Sequence, residues 1–212
     1  MANTSRTNIL QKIKQALEKP VPVPFPASEG HNSVFEPSKK ELEVEFAERF
    51  SHLQGRFSFC TDEKELVNQL NTLIAQRKWT KLYCREEELT TLLFDAGFST
   101  SYADDLATCD AAITGCEKLI ARTGSIVMSS AQASGRTVSV YAPVHICIAY
   151  TDQLVYDIAT GLQQIRLHYG QEFPSLVTLA TGPSRTADIE KTLVVGVHGP
   201  KEVFCFLIDR QS

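Results

Sequence analysis

The sequence predicts an α/β protein: a mainly parallel sheet flanked by helices, with an inserted β-hairpin and a helical N-terminal arm. Three observations carry that reading. Between residues 56 and 96, short β-rich runs alternate with runs of helical period, the pattern of βαβ units. Residues 144–150, VHICIAY, are the most continuous apolar run and suit a central strand buried on both faces. Two apolar segments, 119–121 and 126–128, flank Thr123, Gly124 and Ser125, as in a tight hairpin.

The elements follow in order. Residues 7–17 put Ile9, Ile13 and Leu17 on one helical face, with Leu10 beside them. Residues 20–26, PVPVPFP, and the polar residues up to Ser38 read as a stiff extended linker. The expected division is an arm and linker over 1–38 and an α/β domain over 39–212. A helix of three turns is marginal alone in water. The arm is therefore expected to bury its stripe against another copy of the chain, a partner subunit or its own domain. Residues 39–53 read as a helix with Leu42, Phe46, Phe50 and Leu53 inward and its glutamates in solvent.

Residues 56–60 suit a strand, and Thr61 or Asp62 caps the helix carrying Leu66, Leu70, Leu73 and Ile74. A strand over 81–84 and a helix over 86–96, ended by Gly97, complete the alternation. Residues 111–114 are a strand, and 129–137 a small-residue polar loop carrying Arg136. Residues 152–169 read as one long helix with Leu154, Ile158, Leu162 and Ile165 inward. Strands are expected at 176–180, 193–197 and 203–208, with a short helix through Asp188 and Glu190 capped by Ser184 and Thr186. Strands 144–150, 176–179 and 193–197 are expected to lie together in the parallel sheet.

Composition narrows the function classes. The 212 residues carry a net charge of −4, with no electrostatic footprint for nucleic acid. No apolar run approaches a membrane span, and the N-terminus has no signal-peptide core, which points to the cytoplasm. Cysteines 60, 84, 109, 116, 147 and 205 form no C-x-x-C pair. They read as buried, reduced thiols, with Cys116 open to exposure after Thr114 and Gly115. Neither their spacing nor that of the histidines suits a zinc site or an iron–sulfur cluster, so no metal or cofactor is expected on this chain.

Three small-residue turns follow apolar strands: Thr123-Gly124-Ser125, the run from Thr181 through Gly182, Ser184, Arg185 and Thr186, and His198-Gly199 before Pro200. In an α/β sheet, loops at the carboxyl ends of strands gather around ligands. Glycines let a ligand approach, and free N–H groups with hydroxyls favour an anion. Arg136 adds a cation. Asp188 and Glu190 either satisfy the dipole of their short helix, with Arg185 paired to Asp188, or face the pocket as acceptor or general base. His198 is placed for proton transfer near neutral pH. His145, inside an apolar strand, reads as a core residue.

The run T-G-P-S-x-T-A-D-I-E followed by L-V-x-G-V-H-G-P resembles the C-terminal signature of the lactate utilisation protein C family, the LUD domain. The hairpin T-G-S-I-V and the strand A-P-V-H-I fit the same pattern, which extends from about Lys39 onward. The resemblance implies a fold related to the sugar-isomerase and CoA-transferase group. It also implies a part in oxidising L-lactate to pyruvate beside subunits that carry iron–sulfur clusters. Where the family pattern often has an acidic residue before the hairpin T-G, this chain has Arg122, so no catalytic carboxylate carries over to that position. The reading is a component binding a small anionic ligand. Its rivals are a stand-alone isomerase or transferase acting on a sugar phosphate or CoA ester, and a non-catalytic assembly subunit.

Overall fold

The computed structural model describes residues 2–18, 37–38, 40–189 and 192–210. The chain divides into two units, 1–37 and 38–212. Of the first, helix α1 (Ala2–Leu17) is described, with Ile9, Leu10 and Ile13 exposed. The proline-rich run over 20–26 lies outside the described residues, and so does Glu190.

In the second unit, alternation along fully buried strands decides the layers. Strands β1 (Arg56–Cys60), β2 (Leu82–Tyr83), β3 (Ala111–Thr114), β6 (Val144–Tyr150) and β11 (Glu202–Ile208) form a sheet in the order β1-β11-β6-β3-β2, with every pairing parallel. Ile146 and Ile148 of β6, with Phe204, Phe206 and Ile208 of β11, face helices α3 (Glu63–Arg77) and α4 (Glu87–Asp95) through Leu66, Leu70, Leu89 and Leu93. The intervening residues Cys147, Ala149, Val203, Cys205 and Leu207 face the opposite way, onto Phe46 and Phe50 of α2 (Leu42–His52). Helix α3 begins as its sequence requires: the Asp62 carboxylate accepts from Glu65 N–H at 2.7 Å, and Glu65 accepts from Thr61 N–H at 2.8 Å.

The hairpin around Gly124 is present, but it does not lie in the parallel sheet. Its strands β4 (Lys118–Ile120) and β5 (Ser125–Ser129) join β7 (Leu154–Val155) and β8 (Val177–Ala180) in a second, mixed sheet ordered β7-β4-β5-β8. One face of this sheet (Leu119, Ile126, Met128) shares the α2 core. The other (Ile120, Val127, Val155) packs on Ile165 of α6 (Ile158–Tyr169).

Three expectations are corrected. Residues 152–169 are not one helix: a 3-10 turn (Thr151–Gln153) and β7 precede α6, whose start is capped by Asp157 accepting from Thr160 N–H at 2.8 Å. Leu154 is spent in β7, and Ile158 and Leu162 are each 37% exposed, leaving Ile165 as the buried anchor. Strand β8 is only half-buried and sits at the edge of the mixed sheet. The short helix at 184–190 is instead strand β9 (Arg185–Ile189), paired antiparallel with β10 (Thr192–Val195) in a two-stranded ribbon. β-Branched Thr186, Ile189, Thr192, Val194 and Val195 favour the ribbon over a helix. A partner strand lying next in sequence then satisfies their backbone groups. Exposed Val195 and Val197 show why an apolar run here does not mark a central strand. A four-residue helix, α5 (Val138–Tyr141), covers Ala112 beside β6.

Candidate functional site

The carboxyl ends of β2, β3, β6 and β11 open on one cleft of about 810 Å³. Glu86 follows β2, Gly115 and Cys116 follow β3, Tyr150 ends β6, and Arg210 follows β11. The mixed sheet and α6 close the other side with Glu117, Lys118 and Tyr169. Parallel topology makes this edge a meeting point, because every parallel strand delivers its following loop to the same side.

Two carboxylates are held in place within it. Glu86 Oε2 accepts from Gly115 N–H at 2.8 Å, while its buried Oε1 has no hydrogen-bond partner among the described residues. Glu117 Oε1 accepts from Ser129 Oγ–H at 2.5 Å and from Tyr169 O–H at 2.9 Å. Burial, and then the Glu117 contact, push the Tyr169 phenol above its usual range, so it remains a donor. Arg210 bonds Asp152 at 2.9 Å and lies 4.0 Å from the Tyr150 ring centroid, so part of its charge is spent within the protein. Gln153 bridges the strand ends, donating to Cys116 O at 2.6 Å and accepting from Tyr150 N–H at 2.8 Å. Carboxylates (Glu86, Glu87, Glu88, Glu117, Asp152) outnumber the cations Lys118 and Arg210, so the cleft disfavours a multiply charged anion.

Beneath the cleft floor lies His145, fully buried, its Nε2 2.8 Å from Thr114 Oγ1, which in turn donates to Gly115 O at 2.8 Å. Its Nδ1 has no partner among the described residues, and burial lowers its pKa to about 4, so the ring is neutral. Cys116 is buried rather than exposed; its hydrogen bond with Cys147 and then burial raise its pKa well above the usual thiol range. All six cysteines are free. Among the described residues no group of three His, Cys, Asp or Glu side chains is placed to hold a metal ion.

The three turns expected to bind a ligand lie elsewhere. Thr123 and Ser125 hydroxyls are 2.7 Å apart, and Ser125 and Thr181 hydroxyls 2.8 Å, so the first two turns do meet. They meet against α2. Gly124, at φ +62°, sits where a Cβ would come within 2.6 Å of Phe50 N; a Cβ on Gly182 would come within 2.5 Å of Leu53 O. The Arg185 guanidinium donates to Leu53 O as well. Ser184 N–H donates to Pro200 O at 2.9 Å and its carbonyl accepts from Gly196 N–H at 2.9 Å, with Gly199 packed on its side chain. Thr186 is half-buried in β9, which also holds Asp188, and in a strand Arg185 and Asp188 no longer share a helical face. His198 is exposed, and Arg136 is bonded away from the turns to Ser175 Oγ. None of these residues lines the 810 Å³ cleft.

Of the residues that line it, Cys116 was singled out from sequence, as a thiol open to exposure; the carboxylates were not. Their signal is positional: Glu86 and Glu117 are each the third residue after a buried strand that feeds the carboxyl edge.

Comparison with known proteins is consistent with this architecture. A crystal structure of a DUF162 family protein from Deinococcus radiodurans superposes with a TM-score of 0.60 at 18% identity, covering 82% of this chain and 99% of the other, a likeness of fold. A lactate utilization protein C of a Geobacillus strain is 32% identical over 127 residues, 58% of this chain and 53% of that protein. One from Bacillus licheniformis is 36% identical over 101 residues, 46% of this chain and 42% of that protein. An uncharacterized protein of Neisseria meningitidis serogroup B is 30% identical over 123 residues, 58% of this chain and 52% of that protein. The chain thus spans about half the length of the curated relatives it matches. The LUD domain model matches residues 44–208, from the first turn of α2 to the last residue of β11, and the chain belongs to the LUD domain family.

Proposed function

We propose that the chain is a component of an L-lactate utilisation system, that it binds a small anionic ligand of the hydroxy- or keto-acid class in the carboxyl-edge cleft, and that it acts in the cytoplasm beside subunits carrying iron–sulfur clusters. Family membership and the lactate utilization names of its relatives support the system. The observation that carries the ligand site is Glu86: one oxygen fixed by a backbone N–H, the other buried without a partner. A buried unpaired oxygen is costly, and a ligand hydroxyl would satisfy it. Lys118 supplies a cation for a single carboxylate, whereas the acidic majority opposes a sugar phosphate or CoA ester. Among the described residues no helix is long and apolar enough to cross a membrane.

The test is a ligand-dependent melting series on the full chain. L-Lactate, whose hydroxyl can donate to Glu86, should raise the melting temperature, and Glu86→Gln should remove most of that rise. A rise with sugar phosphates or CoA esters alone would replace this reading with the isomerase or transferase one. Lactate oxidation that appears only when the iron–sulfur subunits are added supports the component role; turnover by the purified chain refutes it.

A further inference from the structure

The five-stranded sheet has one open side. β1 pairs with β11, and among the described residues no strand covers its other edge. β2, at the far edge, is covered by a bridge from Leu82 to Tyr102. Cys60 O accepts from Asp209 N–H on the β11 side. By alternation, the backbone groups of Phe57 and Phe59 point outward. Gln69 Nε2 reaches one of them, Phe59 O, at 3.3 Å, beyond the usual range. The strand RFSFC has neither lysine nor proline, the residues that commonly protect an edge. Phe59 is 42% exposed and Val44 of α2 45% exposed, and with Phe57 and Ala47 they line a groove of about 570 Å³.

We propose that this edge is the contact surface for a second copy of the chain, with β1 pairing antiparallel to its counterpart about a two-fold axis through Ser58. The sequence is nearly symmetric about that residue. In this register Phe57 of each copy stands opposite Phe59 of the other, in hydrogen-bonded pairs that exchange the outward N–H and C=O groups. Ser58 meets Ser58 in the non-hydrogen-bonded position. A two-fold axis perpendicular to the sheet keeps every side chain on its own face, so four phenylalanine rings gather on the α2 side and cover one another. The same axis reverses α2, so that its acidic first turn in one copy, with Glu41 and Glu43, lies toward the last turn of the other, which carries His52. The contact is isologous and closes as a dimer.

Sedimentation of the full chain over a concentration series tests this. A reversible monomer–dimer equilibrium is expected, and Phe59→Lys should weaken it about tenfold or more without altering the far-UV spectrum, since Phe59 is exposed. Ser58→Cys should cross-link to a second copy under diamide oxidation, because opposed side chains approach most closely in a non-hydrogen-bonded pair, to about 4.5 Å at Cβ, within reach of a disulfide. A chain that remains monomeric up to about 100 μM overturns the proposal. A dimer untouched by Phe59→Lys does so too, and assigns association to another surface. A dimer weakened by Phe59→Lys but never cross-linked through position 58 overturns the antiparallel register.

Discussion

Replacing Gly124 with alanine tests whether the hairpin turn exists to hold α2. Gly124 has φ +62°, where an L side chain costs about 1–2 kcal/mol. Its new Cβ would lie 2.6 Å from Phe50 N and 2.9 Å from Arg49 C, helix backbone that no rotamer change can move. The hairpin would have to lift from α2 by several tenths of an ångström, over the core where Phe46 and Phe50 stack at 5.3 Å. Overpacking of this kind costs about 1–3 kcal/mol. The stiffer unfolded chain returns about 0.4–1 kcal/mol. The net loss is about 1–4.5 kcal/mol, roughly a 2–18 °C fall in melting temperature for a chain of this size. Gly97 is the control: φ is +96°, yet nothing lies within 4 Å of its would-be Cβ. Gly97→Ala should therefore cost backbone strain alone, about 1–2 kcal/mol less the same return of about 0.4–1 kcal/mol from the unfolded chain. Thermal and denaturant unfolding of both variants, without ligand, measure the difference. Equal losses would refute the packing role of the turn.

Two further outcomes follow from buried groups. His145 stays neutral in the folded chain to about pH 4, whereas the unfolded ring takes a proton near pH 6.5, so its contribution is intact above that pH and falls as pH drops through the window, by at most about 3 kcal/mol. His145→Gln should flatten the stability slope between those limits in denaturant titrations; an unchanged slope would show that the ring is not buried neutral. Burial pushes Cys60 up to about 12 and Cys84 up to about 11, so a thiol-specific disulfide reagent at pH 8 should label the native chain slowly and the unfolded chain fully; fast labelling of Cys116 would contradict its burial.

Legibility from sequence followed the range of the interactions. The bounds of β1, β3 and β6, the Asp62 cap and the hairpin at Gly124 depend on side-chain period, β-propensity and turn chemistry within a few residues, and each was readable. The helix expected at 184–190 failed because its cap residues are ambiguous locally. Ser184 uses its N–H and C=O on Pro200 and Gly196, a choice made by chain returning from far along the sequence. The apolar runs near 177 and 194 carried no mark separating a central strand from an edge or a ribbon. That depends on what covers the second face: β8 is half-buried along its length, and Val195 of β10 is exposed.

The cleft was the least readable feature. Its fixed carboxylates depend on partners remote in sequence: Glu86 on Gly115, and Glu117 on Ser129 and Tyr169. The sequence by itself determined the parallel α/β class, the alternation that buries β6 and β11 on both faces, and the glycines of the two turns. Tertiary structure decided that those glycines meet the backbone of α2 and of Leu53 just past its end instead of open space, and that the acidic residues following β2 and β3 share one cavity. A strand's hydrophobic period specifies which face it buries; only the packed sheet specifies which loops its carboxyl end will meet.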